Sequence, residues 1–307
     1  MGLLTGRAGF TQRIRAQLPP RLEPMVSGMY DWTARRLARV PALPVIRELR
    51  CLQFRRLRPL GNGRQRGTPV VRAYWSQYLT NHRGDIRGDG LEIGTVETLR
   101  RYGGPALDRA DALDLTAHSP EITVVGDLSR ADHIPSDRYD CFVNQFTMHL
   151  IFDVQSALFH SVRILKPEGV LLVNFSCVDY YFPRGLDMGT GPPLFLFWWF
   201  TPIQVDNLMR SIGLTEHDYT LTIYGNLFAR IAYEMNVPAE ELTQRELQYI
   251  DPGHPVLICA RVVKPPGWRA TTPSYREPWT PRMQPARWNP ETGHYGDADY
   301  GARAQST

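Results

Sequence analysis

The stretch DRYDCFVNQFTMHLIFDVQSALFHSVRILKPEGVLLV, residues 137–173, reads as strand, helix and strand in succession. YDCFVNQ is a short apolar run ending in amides, and FDVQSALFHSVRIL then sets its apolar residues at helical spacing. KPEG makes a turn. VLLVNFS follows without alternation, the pattern of a strand buried on both faces. Two strands joined by a crossover helix form a parallel unit, so this stretch predicts an α/β sheet.

The same alternation continues outward in both directions. Upstream, GLEIG and EITVVGD are strand patterns, LDRADALDL is a weaker one, and VETLRRYG is a short helix closed by Gly103 and Gly104. Pro69 stands where a helix begins, and VVRAYWSQYLTNHRGDI continues with an apolar face. Downstream, TPIQVDNLMRSIGL reads as a helix and LTEHDYTLTIYG as a strand. Residues 226–250 read as helical, and HPVLICARVVK as a last strand. Two late strands after five parallel ones predict a Rossmann-like, seven-stranded, mostly parallel sheet with helices on both faces. The expected divisions are an Arg-rich helical N-terminal extension (1–63), the α/β domain (64–264) and a Pro-rich tail without periodicity, read as disordered (265–307).

Composition limits the function classes. A chain of 307 residues that is 43% hydrophobic and 21% charged is that of a soluble globular protein. The longest apolar run, PPLFLFWWFTP, is about half the roughly 20 residues that a membrane helix needs. The N-terminus shows no signal-peptide core, so a cytoplasmic location is expected, with no transmembrane segment. Cys51, Cys141, Cys177 and Cys259 lie far apart, as buried reduced thiols would, and no metal-ligand spacing occurs. The net charge of +4 conceals +11 in residues 1–66, which leaves −7 for the remainder. Such a segment suits docking on the chain's own body or on a protein partner. No nucleic-acid motif accompanies its arginines, so no nucleic-acid partner is expected.

In an open α/β sheet the ligand lies beyond the carboxyl ends of the strands. Gly94 ends the first strand, where the absence of Cβ and the following amides favour close approach of an anionic group. Asp111 or Asp114, seventeen or twenty residues further on, suits a ribose diol, and Asp127 suits an exocyclic amine. Each also reads as an ordinary turn glycine or helix cap.

In order, GDGLEIGT, ADALDL and ITVVGDLSRADHIPSDRYDCFVNQFTMHLIFDVQSALFHSVRILKPEGVLLV resemble a class I S-adenosylmethionine-dependent methyltransferase of the methyltransferase-11 type. RGTPVVRAYWSQYLTNHRGDIRG and AEELTQRELQYIDPGHPVLICARVVK extend the resemblance over about residues 64–264, to a bacterial subgroup associated with glycosyltransferases. GTVETLRRYGG is similar to that subgroup's thinned first loop, with Val96 where a second glycine usually stands. The resemblance implies S-adenosylmethionine as cofactor. Glu92 and Gly94 would sit by its methionine and ribose portions, and Asp111 or Asp114 by the ribose hydroxyls. Asp127 and Leu128 would flank adenine, and Asn144 and Gln145 the reacting methyl. Val71 and Ser76 stand where the subgroup often has an acid or an amide.

His149 is the candidate catalytic base for a hydroxyl acceptor, its ordinary pKa near 6.5 suiting the task. It also reads as a residue capping or packing at a helix start. His133 reads as a loop residue ordering the crossover, and His118 as weaker still. Phe195, Phe197, Trp198, Trp199 and Phe200, near Asp179, Tyr180 and Tyr181, would floor an acceptor pocket or simply pack on the sheet. The expected function is O-methylation of a sugar or glycosylated secondary metabolite. The alternative is a noncatalytic partner protein of the same fold that stabilises or positions another enzyme.

Overall fold

The computed structural model describes residues 59–60, 66–179, 181, 185–187, 192–269, 273, 286–289 and 294–295. Apart from residues 59–60, the expected Arg-rich helical extension (1–63) lies outside the described residues.

Seven strands form one sheet: β1 (Gly88–Ile93), β2 (Leu107–Asp114), β3 (Ile122–Val125), β4 (Tyr139–Asn144), β5 (Leu165–Ser176), β7 (Tyr219–Tyr224) and β8 (Leu257–Val263). Their order is β3-β2-β1-β4-β5-β8-β7. The first five run parallel, while β8 lies antiparallel to both β5 and β7. This is the Rossmann-like, mostly parallel arrangement that the strand-helix alternation predicts. Alternate residues serve opposite faces, as a period of two requires. Phe142, Leu171 and Val173 join one core cluster, and Cys141, Val143 and Leu172 join the other. Helices α3 (Val154–Arg163) and α4 (Pro202–Ser211) cover the first face. Helices α1 (Val70–Asn81) and α5 (Leu227–Glu234) cover the second, with Leu99 of α2 (Glu97–Gly103) at its margin. Cys141, Cys177 and Cys259 are buried free thiols; Cys51 lies outside the described residues.

Local chemistry sets the helix ends. Asp153 caps α3 by accepting from the Ser156 amide, and Thr201 with Gln204 forms a capping box on α4. Pro69 is the N-cap of α1, one position before the expected place. Residues 226–250 are not one continuous helix. Asn226 caps α5, which ends at Glu234; a 3₁₀ turn (Ala239–Glu241) and α6 (Gln244–Gln248) follow. The break falls where Asn236 takes a left-handed φ of 56° and Pro238 has no amide to donate.

Lys264, the last residue of the expected α/β domain, carries a buried ammonium. Lys264 Nζ donates to Asp137 Oδ1 at 2.7 Å and to the carbonyls of Arg163 and Leu165 at 2.8 and 2.7 Å. Just beyond, the Trp268 indole donates to the Ile212 carbonyl at 3.2 Å, with its ring 5.4 Å from that of Phe159. Within the segment read as a disordered tail, β9 (Ala286–Asn289) pairs with β10 (His294–Tyr295) and runs parallel to β6 (Leu186–Asp187).

Candidate functional site

Two cavities open at the carboxyl ends of β1, β2 and β4, and Ile93 is a wall of both. One, of about 470 Å³, is mainly apolar and is bordered by Asp114, Asp127, Leu128, Ile151 and Phe195 among others. The other, of about 690 Å³, lies between α1 and α2 and includes Arg72, Trp75, Gly94, Arg101 and Gln145 in its walls.

Gly94 sits at the end of β1 with φ +73°, a conformation that an L side chain adopts only with strain. A Cβ there would stand 3.5 Å from Asp114 Oδ2. Gly94 directly follows the end of β1, and it is the positive φ rather than lack of space that favours glycine there.

The structure separates the two acids that the spacing left open. Asp114 ends β2 and borders the apolar cavity. Asp111, an odd number of residues away, borders neither cavity. Its carboxylate accepts from Arg109, Thr123, Arg138 and Tyr139 at 2.8–3.1 Å. Burial pulls the Asp111 carboxyl upward, but these donors outweigh it and hold the group below its ordinary range. Asp111 is a structural hub. Asp127 accepts from the Ser129 amide and hydroxyl at 2.9 and 2.8 Å, and with Leu128 it lines the apolar cavity. The His133 imidazole bonds the Val125 carbonyl at 3.0 Å and fills the space beside Gly126, ordering the crossover as expected. His118 sits outside, against the Thr116 carbonyl at 3.2 Å.

Glu92 is fully buried and does not line either cavity. Helix α2 has no capping side chain of its own, because Val96 occupies its N-cap. Glu92 supplies the acceptor instead: its Oε2 takes the Leu99 amide at 3.0 Å, and its Oε1 takes Gln145 Nε2 at 2.8 Å. Gln145 also donates to Thr98 Oγ1 and accepts from the Trp75 indole at 3.1 Å. Burial pushes the Glu92 carboxyl up to about 7, against the opposing pull of bonds from Thr98 and Leu99. Val96 has a packing reason to replace glycine. It is buried with Ala112 and Ile122 in a small cluster and does not face a cavity. Val71 is likewise buried against the sheet, whereas Ser76 lines the polar cavity.

Asn144 is completely buried and lines neither cavity; its Nδ2 and Oδ1 find no hydrogen-bond partner among the described residues. Gln145, the next residue, does reach the polar cavity. His149 is also buried behind the walls. Its Nε2 stands 3.6 Å from Asp179 Oδ2, while Tyr233 donates to Asp179 Oδ1 at 2.9 Å. Burial pulls the His149 pKa down, and Asp179 counteracts only in part, so the ring is neutral near pH 7.

The five aromatics divide. Phe195 and Phe197 line the apolar cavity, and Phe200 is buried with its ring 5.1 Å from that of Phe175. The Trp198 indole donates to the carbonyls of Ile151 and Phe152, whereas Trp199 is half exposed. Arg72, Trp75, Arg101 and Tyr102 were not singled out by the sequence; the apolar stripe of α1 and the RRYGG run were their only signals.

No family model matches the sequence, and neither does any curated protein. Among solved structures, the chain is similar to an S-adenosylmethionine-dependent methyltransferase from Mesorhizobium loti, at 14% identity and a TM-score of 0.41, over 63% of this chain and 97% of that one. It is similar to the Burkholderia thailandensis 1,6-didemethyltoxoflavin-N1-methyltransferase bound to 1,6-didemethyltoxoflavin and S-adenosylhomocysteine. There the identity is 15% and the TM-score 0.38, over 64% and 79% of the two chains. It is also similar to phosphoethanolamine N-methyltransferase 2 from Haemonchus contortus in complex with S-adenosyl-L-methionine, at 15% identity and a TM-score of 0.42, over 62% and 53%. Among the described residues, no helix is long and apolar enough to cross a membrane.

Proposed function

We propose that this chain is an S-adenosylmethionine-dependent methyltransferase. The observation that carries the reading is the pair of cavities that share Ile93 at the carboxyl ends of the strands, with Gly94 in the wall of the polar one. The residues suit the cofactor in kind. Asp114 is placed at the end of β2 for a ribose diol, Asp127 borders the cavity for an adenine amine, and Leu115, Leu128 and Ile151 offer apolar contact to a flat ring. Gly94 suits close approach of the methionine end, with Gln145 beside it. Asp111, Glu92 and Asn144 have no direct contact in this reading: Asp111 and Glu92 support the elements that present the others, and Asn144 lies in the core.

Once bound, the cofactor supplies an electrophilic methyl on a sulfonium. The protein's part is to align the acceptor and keep water out. Transfer to a hydroxyl of a sugar or glycosylated secondary metabolite is the finer reading, and it rests on the sequence resemblance. The expected base, His149, does not fit this reading: its ring lines neither cavity, and its Nε2 faces Asp179. A protein partner for the Arg-rich N-terminus belongs to the same proposal.

Calorimetric titration of the full chain with S-adenosylhomocysteine tests it, with Gly94→Arg as control. A micromolar dissociation constant, about −8 kcal/mol, that is lost in the variant supports the reading. No heat up to about 1 mM ligand overturns it and returns the chain to the noncatalytic alternative.

A further inference from the structure

We propose that the polar cavity between α1 and α2 receives the methyl acceptor beside the cofactor's methionine tail, and that this acceptor carries an oxyanion, a carboxylate or a phosphate. The proposal rests on the cofactor reading above.

Volume is the first argument. The sulfonium, methyl and amino-acid tail have about nine heavy atoms. At no more than the roughly 30 Å³ that one water takes in the liquid, they fill about 270 Å³. The cavity measures about 690 Å³. More than half of it is therefore open to a second molecule of ligand size.

Charge is the second. The described walls of the apolar cavity contain Asp114, Asp127 and Asp153 and no lysine or arginine. The polar cavity has Arg72 and Arg101 against the single acid Glu97. The two arginines come from different helices, α1 and α2, so the positive wall is not the accident of one exposed helix face. The Arg72 guanidinium lies 3.8 Å over the Phe146 ring centroid, which keeps its planar fork oriented at the cavity wall. Trp75 and Tyr102 add flat apolar surface beside it. Guanidinium groups beside aromatic faces are the recognition chemistry of a carboxylate or phosphate on a ring-containing molecule.

The test uses the full chain, ¹⁵N-labelled on tryptophan and saturated with S-adenosylhomocysteine. The Trp75 indole resonance, assigned through Trp75→Phe, reports on this cavity. Inorganic phosphate and acetate are titrated separately, and the tighter of the two names the oxyanion. The expected result is a saturable shift in the millimolar range, weakened about tenfold in Arg101→Gln, with S-adenosylhomocysteine affinity held. Three results overturn the proposal: no saturable shift with either anion, the same response in Arg101→Gln, or displacement of S-adenosylhomocysteine by phosphate. The last would make the arginines the seat of the cofactor's own carboxylate. If S-adenosylhomocysteine fails to bind at the outset, the cofactor reading falls and the acceptor assignment falls with it, a distinct outcome from the other three.

Discussion

Glu92→Gln separates the electrostatics of the site from its shape. In the folded chain the Glu92 carboxyl is raised from its ordinary 4.5 to about 7, chiefly by burial. The folded state therefore holds this proton more tightly than the unfolded chain does. Stability falls as pH rises from about 4.5 to about 7 and is level beyond, where both states are ionised. The shift corresponds to about 3 kcal/mol. Glutamine keeps the side chain's volume but loses one acceptor for the Leu99 amide or for Gln145, which displaces the variant's curve by about 1–3 kcal/mol at every pH. That offset has no pH dependence, so the difference between the two proteins isolates the titration. Urea unfolding of both chains at several pH values between about 4 and 8 provides the measurement. The variant should gain about 3 kcal/mol on wild type across that range. A difference that stays flat to within about 1 kcal/mol would refute the claim that Glu92 is desolvated and would place water beside it.

Asp111→Asn should lower stability by about 2–3 kcal/mol and leave S-adenosylhomocysteine affinity unchanged, whereas Asp114→Asn should weaken binding about tenfold with little loss of stability; urea melts and calorimetry on the pair decide it. Gly126→Ala should be destabilising because the new methyl meets the His133 ring at 2.5 Å, and His133→Ala in the same chain should restore most of the urea midpoint; failure to restore it would mean that another contact is limiting. Gly94→Ala should cost about 1–2 kcal/mol through its left-handed backbone and weaken S-adenosylhomocysteine as well, which thermal melts with and without ligand would register.

Much of the sheet was readable because β4, α3 and β5 differ so plainly in period, and because the buried run of β5 allows no exposed face. Which aspartate borders a cavity was not readable. Asp111 and Asp114 share one weak strand pattern, and their roles turn on where β2 stops and on donors brought from Arg138 and Tyr139, 27 and 28 residues away. Glu92 illustrates the same limit. A strand-end acid before a glycine has the same local pattern whether it faces a ligand or caps the next helix, and only the position of the Leu99 amide separates the two. The break in residues 226–250 was visible in principle, since Pro238 lies inside the stretch, but the helical spacing on both sides masked it. The walls of the polar cavity could not be read at all. Arg72 and Arg101 line one cavity from two different helices, which no local pattern records.

Ile93 alone among the described residues borders both cavities. A ligand that moves this side chain on one side alters the free energy of occupancy on the other, and linkage requires the effect to be equal in both directions. The branched side chain at this one position is a wall that the two chambers share. Trimming Ile93 to alanine or enlarging it to phenylalanine would widen or narrow the place where one chamber adjoins the other, and so change the fit of any ligand long enough to reach from one into the other.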